Sequence, residues 1–464
     1  MTLESVLDSS ADSPAEALRG LCGGRVHLPG DPAYDAMRVP WNLAVDQRPA
    51  AVAVPHDADE VAEVVRAAAA AGLHVAPQST GHNAAPLAEQ GLGDVVLVRL
   101  SEMTGVSIDP DARTARVVGG TLWRDVVAAA GDYGLAAMHG SSPDVAPAGY
   151  ALGGGLSWYA RQHGLATNSL VAVELVTADG SFVRATAEQD PELFWALRGG
   201  GGNLGVVTAL ELRLLPIADV YAGMLLWDRE RAPEVVRAWT AWTRDVPESV
   251  TTSMRVMSFP PMPELPPFLS GRRLVIIDGA LLEDDDRAAE LLAPLRALDP
   301  ELDTFGRIPA AQLPEMHMDP PGPTPAVSGH AVLGDLDEDA VAVLLAEVGP
   351  GADTSLLFAE LRHLGGALAR VDADGGALDH LPGSYALFCV AVAPTPEAAT
   401  TGIVDADRVV SALGRWSIAS RVLNFTEEPV DTSSGYDADA WARLCAIRDG
   451  IDPGGLFRAN HPLT

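Results

Sequence analysis

The sequence contains no lysine, so all 31 of its basic residues are arginines. This absence excludes a P-loop lysine, a pyridoxal phosphate Schiff base and a lysine nucleophile. The 63 acidic residues outnumber the arginines and give the chain a net charge of −32. A negative field of this size repels phosphate backbones and acidic membrane surfaces, so we expect neither nucleic acid nor a membrane as a partner.

Cysteine is also scarce, and Cys22, Cys389 and Cys445 lie too far apart to form a CxxC pair or a zinc-binding spacing. Three free thiols are typical of a reducing compartment. No uninterrupted apolar run reaches about 18 residues, and the first 20 residues lack the apolar core of a secretory signal. These absences predict a cytoplasmic protein without a membrane span.

The length of 464 residues and a hydrophobic content of 48% predict a large core in two domains or one interleaved unit. The first 30 residues resemble a helical lead-in that ends at Gly30. Apolar residues at helical spacing predict a helix from Asp57 to Ala71, which Gly72 ends. A hairpin is expected around Asp179-Gly180. Further strands are predicted over 50–54, 73–76, 95–100, 114–118 and 206–215, and further helices over 121–130, 190–198 and 437–449.

Two glycine-rich segments have different interpretations. Gly200, Gly202 and Gly205 match G-x-G-x-x-G, but this motif follows a predicted helix and leads into a strand, the reverse of a dinucleotide-binding fingerprint. Close backbone packing explains these glycines better. Gly153-Gly154-Gly155 could instead bring backbone N–H groups to a pyrophosphate without any lysine, although an ordinary flexible loop fits this segment equally well.

The motifs taken together resemble the FAD-linked oxidases of the berberine-bridge-enzyme type, in the vanillyl-alcohol-oxidase fold family. The resemblance covers residues 34–217 and 411–464, and its motifs follow the order of the family. They are Trp41-Asn42 with Arg48-Pro49, Ser79-Thr80-Gly81-His82-Asn83, Gly149 to Gly155, His163-Gly164-Leu165-Ala166, the run from Leu193 to Thr208, and Asp452-Pro453 with Leu456-Phe457.

This resemblance implies an α+β fold. It consists of a PCMH-type FAD-binding domain of two α+β subdomains and a substrate domain with an antiparallel sheet covered by helices. The composition changes near Pro216, and residues 220–410 alternate between strand-like and helix-like segments. We therefore expect the FAD-binding domain over 1–217, the substrate-binding domain over 218–410, and a segment over 411–464 that returns to the FAD-binding domain.

The resemblance also implies that His82 bonds covalently to the 8α-methyl group of FAD. A covalent bond of this kind prevents cofactor loss and raises the potential of the flavin. The other cofactor-binding residues that the resemblance implies are Ser79, Thr80, Gly81, Asn83, Ser141, Ser142, Val145, Gly149, Gly153, Gly154, His163, Gly164, Leu165, Val207 and Asn460.

Three positions depart from the family pattern. Ser142 stands where many members attach the flavin a second time through cysteine, so only one covalent bond is expected. Val422 stands where the family often has a catalytic tyrosine, so the base must come from elsewhere. Gln78 replaces the arginine that usually precedes the Gly-His pair.

The substrate domain offers Glu360 and Arg362 as catalytic candidates, and Glu360 is the preferred candidate for the base. In the family this strand faces the flavin, and alternation places Glu360 and Arg362 on one face and His363 on the other. A strand glutamate in a salt bridge is an equally good interpretation. The other candidates are His139, Tyr385 and His317, the last in a loop over the substrate mouth.

The resemblance and these candidates predict an oxidase of an alcohol or an activated C–H or C–N bond in a small organic metabolite. Val145 stands where a small aliphatic residue is thought to admit O2, which favours O2 as the acceptor, although a packing valine is an equal alternative. Two other functions stay open. One is a flavin-dependent oxygenase, or an enzyme that catalyses an oxidative rearrangement, in polyketide or other secondary metabolism. The other is a non-catalytic ligand-binding protein on the same scaffold.

Overall fold

A computed structural model describes residues 13–263, 265–320 and 322–464. The predicted helical lead-in is wrong over its described part, which holds only the 3-10 turn Pro14–Leu18 and the short helix α1 (Leu21–Gly24) before a strand. Gly20, Gly23 and Gly24 have φ values of 90°, 58° and 88° and interrupt any continuous helix. Residues 1–12 of that prediction lie outside the described residues.

The first sheet is formed by β1 (Val26–His27), β2 (Ala51–Ala53), β3 (His74–Gln78) and β4 (Val95–Arg99) in the order β1-β2-β4-β3. Strands β2 and β3 run parallel to β4, joined by a helix from Ala58 to Ala70. The Asp57 side chain accepts a hydrogen bond from the backbone N–H of Glu60 at 2.9 Å and caps this helix. The predicted strand, helix and strand over 50–76 are therefore present.

The second sheet is antiparallel, in the order β5-β6-β9-β7-β8. It contains the hairpin predicted around Asp179-Gly180 and the predicted strand that follows the glycines at 199–205. A helix precedes those glycines, as expected for close packing rather than for a dinucleotide fingerprint. The strands of the second sheet are β5 (Val106–Asp109), β6 (Thr114–Val118), β7 (Leu170–Val176), β8 (Phe182–Thr186) and β9 (Val206–Arg213).

The third sheet has eight strands, all paired antiparallel, in the order β13-β10-β12-β11-β16-β17-β15 with β14 paired to β10. Its strands are β10 (Asp219–Asp228), β11 (Val250–Ser258), β12 (Arg273–Leu281), β13 (Leu302–Asp303), β14 (Gly306–Pro309), β15 (Ala326–Leu333), β16 (Phe358–His363) and β17 (Tyr385–Val392).

One face of this third sheet carries the largest apolar core. Because side chains alternate along a strand, Ala359, Leu361, Leu387 and Cys389 point to the same face and pack under helices between residues 232 and 412. Side chains of the opposite face, among them Val220, Ala222 and Ala280, pack against residues between 136 and 166. The remaining helices are α2 (Tyr34–Arg38), α3 (Ala58–Ala70), α4 (Ala85–Ala88), α5 (Trp123–Gly131), α6 (Pro147–Leu152), α7 (Ala160–His163), α8 (Pro191–Leu197), α9 (Ala232–Trp242), α10 (Asp285–Arg296), α11 (Glu338–Val348), α12 (Pro396–Ala412) and α13 (Ala438–Ile451).

The C-terminal segment returns to the first sheet after α13. The buried Asp452 carboxylate accepts the backbone N–H groups of Leu456 and Phe457, each at 2.8 Å, and closes the turn. The N–H of Arg458 then donates to the carbonyl of Val75 on β3. Among the described residues, no helix combines the length and apolar character needed to cross a bilayer.

Candidate active site

A cavity of about 390 Å³ lies where the three sheets meet. One wall comes from the first two sheets and their loops, including residues 77–83, 140–153 and 199–207. The facing wall is the open face of the third sheet, which contributes Ser328, Phe358 and other side chains. Residues 423–427 and 459–461 of the C-terminal segment complete the lining. Segments that lie far apart in the chain thus come together at one site.

His82 lies in this cavity in a fixed orientation. Its ring stacks on the indole of Trp41, with centroids 4.0 Å apart and planes 20° apart. His82 Nε2 lies 3.3 Å from the Oδ1 atom of Asp144 and 3.4 Å from the Asp144 carbonyl oxygen. In the part of the chain that the structure describes, Nδ1 has no hydrogen-bond partner and is the nitrogen left for another bond.

Asp144 is itself held by neighbours of His82. The Trp41 indole N–H donates to Oδ2 at 2.6 Å, and the Ser142 hydroxyl donates to Oδ1 at 2.9 Å. Burial raises the pKa of Asp144, but the hydrogen bonds from His82, Trp41 and Ser142 outweigh burial and leave the pKa below its usual range. An ionised carboxylate therefore fixes the ring through one nitrogen.

Glycines form the wall opposite the third sheet and are backed by Asn424. Its Oδ1 atom accepts the N–H of Gly155 at 3.2 Å and its side-chain amide donates to the carbonyl of Tyr150 at 3.3 Å. A Cβ atom on Gly153 would lie 2.9 Å from the Asn424 amide nitrogen. Gly149 lines the cavity with nothing within 4 Å of its own Cβ position, so a side chain there would project into open cavity. Bare backbone thus faces the ligand space.

A second feature of this wall is Gln78, which replaces the family arginine. The Arg99 guanidinium, on the neighbouring parallel strand, donates to Gln78 Oε1 at 2.5 Å. Burial lowers the pKa of Arg99 to about 10. A cation is therefore still present beside this position, contributed by β4 instead of by residue 78.

Most of the residues implied to bind the cofactor line this cavity. Gly154, His163, Gly164 and Leu165 do not. Gly154 packs against Leu378 and Asn424. Leu165, in the turn over 163–165, packs in an apolar cluster with Leu364 and Leu368. The implied residues that do line it are Ser79, Thr80, Gly81, His82, Asn83, Ser141, Ser142, Val145, Gly149, Gly153, Val207 and Asn460.

A buried network of charges lies beside the cavity at the third sheet. The Arg255 guanidinium donates to Asp278 Oδ2 at 2.5 Å, and His317 Nδ1 donates to the same oxygen at 2.8 Å. His317 Nε2 lies 3.5 Å from Glu360 Oε1, which Arg362 Nε contacts at 3.0 Å.

The network ends at the FAD-binding half of the molecule. Arg362 donates to the Ser141 hydroxyl at 3.1 Å, and this hydroxyl donates to Asp319 Oδ2 at 3.1 Å. Ser141, His317, Asp319 and Arg362 line the cavity, so the polar groups of this wall are already engaged with one another.

Glu360 does not reach the cavity lining. It shares a face with Arg362, as alternation predicts, but its side chain is fully buried and accepts the Ser253 hydroxyl at 2.6 Å. Burial raises the pKa of Glu360, but the charges of Arg362, His317 and Arg255 outweigh burial and leave its pKa below the usual range. A carboxylate in this setting is a weak proton acceptor.

His139 and Tyr385 also lie away from the cavity, which corrects their selection as catalytic candidates. His139 packs on Tyr159, its Nδ1 donates to the Gly140 carbonyl at 2.7 Å, and burial lowers its pKa to about 4. Tyr385 forms a 2.6 Å hydrogen bond with the Thr243 hydroxyl in the core under the third sheet. The alternation of residues along the sequence could not predict that His139 and Tyr385 are buried, because elements distant in the chain cover them.

The segment from Val422 to Glu427 lies along the cavity face of β15 and was not selected from the sequence. His330 Nδ1 donates to the Leu387 carbonyl at 2.7 Å, and its Nε2 accepts the N–H of Val422 at 3.0 Å. The Ser328 hydroxyl donates to Glu427 Oε2 at 2.9 Å. Val422 is buried, and Glu427 lines the cavity five residues later.

Comparison with known proteins finds similarity to FAD-binding proteins. Residues 49–186 match the family described as FAD binding domain. A 205-residue stretch is 38% identical to (R)-6-hydroxynicotine oxidase of Paenarthrobacter nicotinovorans, over 44% of this chain and 44% of the relative. A 259-residue stretch is 29% identical to chitooligosaccharide oxidase of Gibberella zeae, over 55% of this chain and 50% of the relative. The matches thus span about half the length of these relatives.

Solved structures match over nearly the whole chain. The BBE-like 1 protein of Physcomitrella patens has a TM-score of 0.82 at 22% identity, covering 97% of this chain and 99% of that one. The 6-hydroxy-D-nicotine oxidase of Arthrobacter nicotinovorans has a TM-score of 0.82 at 24% identity, covering 95% and 97%. The predicted α+β fold and the predicted resemblance to the berberine-bridge-enzyme type are confirmed.

Proposed function

We propose that this chain, which has an FAD-binding domain within the fold of the berberine-bridge-enzyme-like proteins, is an FAD-dependent oxidase whose flavin is bound covalently by His82 alone. The arrangement of His82 carries the proposal. Its Nε2 atom is held by Asp144, its ring is stacked on Trp41, and Nδ1 is the nitrogen left to bond the 8α-methyl group. Ser142 cannot form a thioether, so no second bond is expected.

The residues present fit a flavin dinucleotide. The glycines at 149, 153 and 199–202 present bare backbone to the cavity. The Asn83 Oδ1 atom is buried without a hydrogen-bond partner among the described residues. Backbone N–H groups of the 79–83 loop suit a pyrophosphate in a chain without lysine. When bound, FAD would supply a two-electron acceptor for substrate oxidation.

The third sheet would bind and orient the substrate. Phe388 stacks on Phe425 with centroids 4.9 Å apart and packs against Phe358 at 6.1 Å, so one wall is aromatic. The Arg362 guanidinium lies 4.9 Å from the centre of the Phe425 ring. An apolar wall with a few polar groups excludes water and suits a small organic molecule better than a long polymer. Val145 lines the cavity and supports O2 as the electron acceptor.

Acid precipitation of the purified protein tests the covalent bond. Yellow flavin should remain in the pellet of the wild type and wash out of His82→Ala. His56→Ala, which changes an exposed histidine on another loop, is the matched control and should keep the flavin. Flavin that washes out of the wild type would contradict the covalent bond, and flavin retained in His82→Ala would reveal a second attachment.

Peroxide release then tests the oxidase activity. A panel built from the substrates in the names of the relatives contains 6-hydroxynicotine and gluco-, xylo- and chitooligosaccharides. An oxidase releases one H2O2 for each substrate molecule oxidised. Protein whose bound flavin is not reduced by any of a wide set of ligands would favour the non-catalytic ligand-binding alternative.

An oxygen-inserting activity is the second candidate. A 240-residue stretch is 29% identical to a relative named FAD-dependent monooxygenase prx3 of Penicillium roqueforti, over 51% of this chain and 46% of the relative. The valine at 422 and the serine at 142 fit this alternative as well. Substrate consumption with little peroxide, together with oxygen incorporated into the product, would favour it over the oxidase.

A further inference from the structure

The proposed oxidation needs a group that takes a proton from the substrate, and the residues selected from the sequence do not supply one. The Val422 side chain has no atom that can accept a proton, and Glu360 is buried behind Arg362. His317 lines the cavity, but its two ring nitrogens face Asp278 and Glu360 within the charge network. A proton acceptor must contact the substrate space and have a pKa near the working pH. Such a group therefore belongs to the cavity lining itself.

Two carboxylates line the described part of the cavity, Asp319 and Glu427. Asp319 accepts the Ser141 hydroxyl and lies 3.9 Å from His317 Nε2, within the charge network. Glu427 has a different environment. Its Oε2 atom accepts the Ser328 hydroxyl at 2.9 Å, and among the described residues no cationic side chain lies within 4 Å of it.

Glu427 is held at the substrate wall from both sides. Its segment is fixed to β15 by the Ser328 bond and by the bond from Val422 N–H to His330. Phe425, two residues earlier, packs on Phe388 of β17. The carboxylate therefore stands at the edge of an aromatic wall, with Oε1 left for a ligand.

The charged and titratable groups around this segment are engaged elsewhere. On the segment itself, Arg421 pairs with Glu428 at 3.4 Å. On β15, His330 is neutral with both nitrogens bonded, and on β16 Arg362 pairs with Glu360. His461, from the end of the chain, bonds to the Leu423 carbonyl at 3.0 Å.

We propose that Glu427 is the catalytic base of this cavity, the carboxylate that takes the proton from an O–H or N–H group of the substrate. This inference rests on the proposed function. The substrate class that it names is a small molecule with an apolar or aromatic body and a hydroxyl or amine on the carbon that is oxidised. Burial raises the pKa of Glu427 to about 7, because only the Ser328 hydrogen bond opposes it. A base with this pKa is partly ionised at neutral pH and strong enough to accept a proton.

The step balances as a two-electron oxidation. The O–H or N–H bond breaks, its proton goes to Glu427, and its electron pair stays on the heteroatom. That pair forms the C=O or C=N bond while the adjacent C–H bond breaks. The hydrogen of that bond and its two electrons would pass to FAD when it is bound, since FAD is the oxidant of the proposed function.

The pH profile of kcat/KM, measured on the panel compound that is oxidised, tests this role. In the wild type kcat/KM should fall below a pH of about 7, where Glu427 becomes protonated. Glu427→Gln should lower the plateau by roughly 10²–10⁴-fold and lose this fall. Ser328→Ala should move the fall to higher pH, because the hydrogen bond that favours the ionised form is lost. Glu428→Gln, which changes the exposed neighbour, should leave the profile unchanged.

A second readout needs no substrate. Infrared difference spectra of the holoprotein should show a carboxylic acid that ionises near pH 7 in the wild type and in Glu428→Gln but not in Glu427→Gln. The folded-state pKa lies above that of an unfolded glutamate, so the wild type binds more protons when folded between these two values. Its unfolding midpoint should therefore fall relative to Glu427→Gln as pH rises to about 7 and then stay level.

The experiments distinguish the role of Glu427 from the proposed function. A Glu427→Gln variant that keeps the plateau and the pH profile overturns the role as base, and so does a wild type without the infrared change. Neither result affects the covalent flavin or peroxide release. The proposed function would instead be overturned if the protein held no acid-stable flavin and oxidised no compound of the panel. The infrared titration would still show in that case whether Glu427 ionises near pH 7.

Discussion

At the scale of single residues, the site depends on which neighbour each ionisable group meets. Asp144, Glu360 and Glu427 all lie in or beside one cavity. Hydrogen bonds from His82, Trp41 and Ser142 stabilise the ionised form of Asp144, and charges stabilise that of Glu360, while Glu427 meets one hydroxyl. The same chemical group is thereby suited to orient the His82 ring at Asp144, to form buried ion pairs at Glu360 and to accept a proton at Glu427.

Asp144→Asn should reduce covalent attachment while leaving flavin binding in place. The variant keeps the size of the side chain but loses the charge that holds His82 Nε2 and the Trp41 N–H. Loss of a charge-assisted hydrogen bond of about 1.5–3 kcal/mol corresponds to roughly tenfold or more. The ratio of acid-stable to total flavin, measured after expression, should fall by about this factor.

Asp125→Asn is the control for that experiment, because Asp125 is exposed in the first turn of α5 and its charge has the same sign. It should leave the ratio unchanged. An Asp144→Asn protein with the wild-type ratio would show that the carboxylate has no part in positioning the ring.

At the scale of the element, glycines decide how closely strands and loops approach. Gly120, at the end of the turn after β6, lies against β4, and a Cβ atom there would be 1.7 Å from the Leu100 carbonyl oxygen. The N–H of Gly120 donates to the carbonyl of Met103, in the loop between β4 and β5, at 2.9 Å. This contact joins the first sheet to the second directly behind the 78–82 loop.

Gly120→Ala should therefore destabilise the protein by about 3 kcal/mol or more, because the backbone of one sheet must move. Denaturant unfolding with circular dichroism measures the change. Gly93→Ala is the matched control, since nothing lies within 4 Å of its Cβ position and its φ is not positive. It should change stability by less than about 1 kcal/mol. Equal effects of the two substitutions would contradict the steric argument.

Sequence patterns predicted the elements whose signals are local. The helix over 58–70, the hairpin at Asp179-Gly180 and the strand over 206–213 all follow from side chains within each segment. The lead-in helix failed because Gly20, Gly23 and Gly24 interrupt it. Glu427 carried no local signal, because its environment is created by Ser328, which lies 99 positions earlier in the chain.

At the scale of the whole molecule, buried charges connect the two halves. Arg255, Asp278 and Glu360 are each 3% exposed or less, and the network reaches Ser141 in the FAD-binding half through Arg362. The motif around His82 could be read from the sequence, but this network could not, since its members come from five separate segments of the chain.

Asp278→Asn should lower stability strongly, because it leaves Arg255 buried without its counter-charge. Breaking a buried pair in this way costs about 3–5 kcal/mol, whereas an exposed pair contributes about 0–1 kcal/mol. Glu290→Gln, which removes the exposed partner of Arg287 on α10, is the comparison. Calorimetry should show a large fall in the unfolding midpoint for the first variant and little change for the second. Similar small changes in both would show that the network is not needed for stability.

The return of the chain to β3 has a consequence for how the protein is made. Ala459, Asn460 and His461 line the same cavity as His82, and Gln90 holds the carbonyl of Ala459 at 2.9 Å. Ribosomes add about 5–20 residues per second, so these three residues are synthesised roughly 20–80 s after His82. The cavity is incomplete on every nascent chain that lacks them. Maturation of the flavin site is therefore a post-translational event, and truncated translation products should carry no acid-stable flavin.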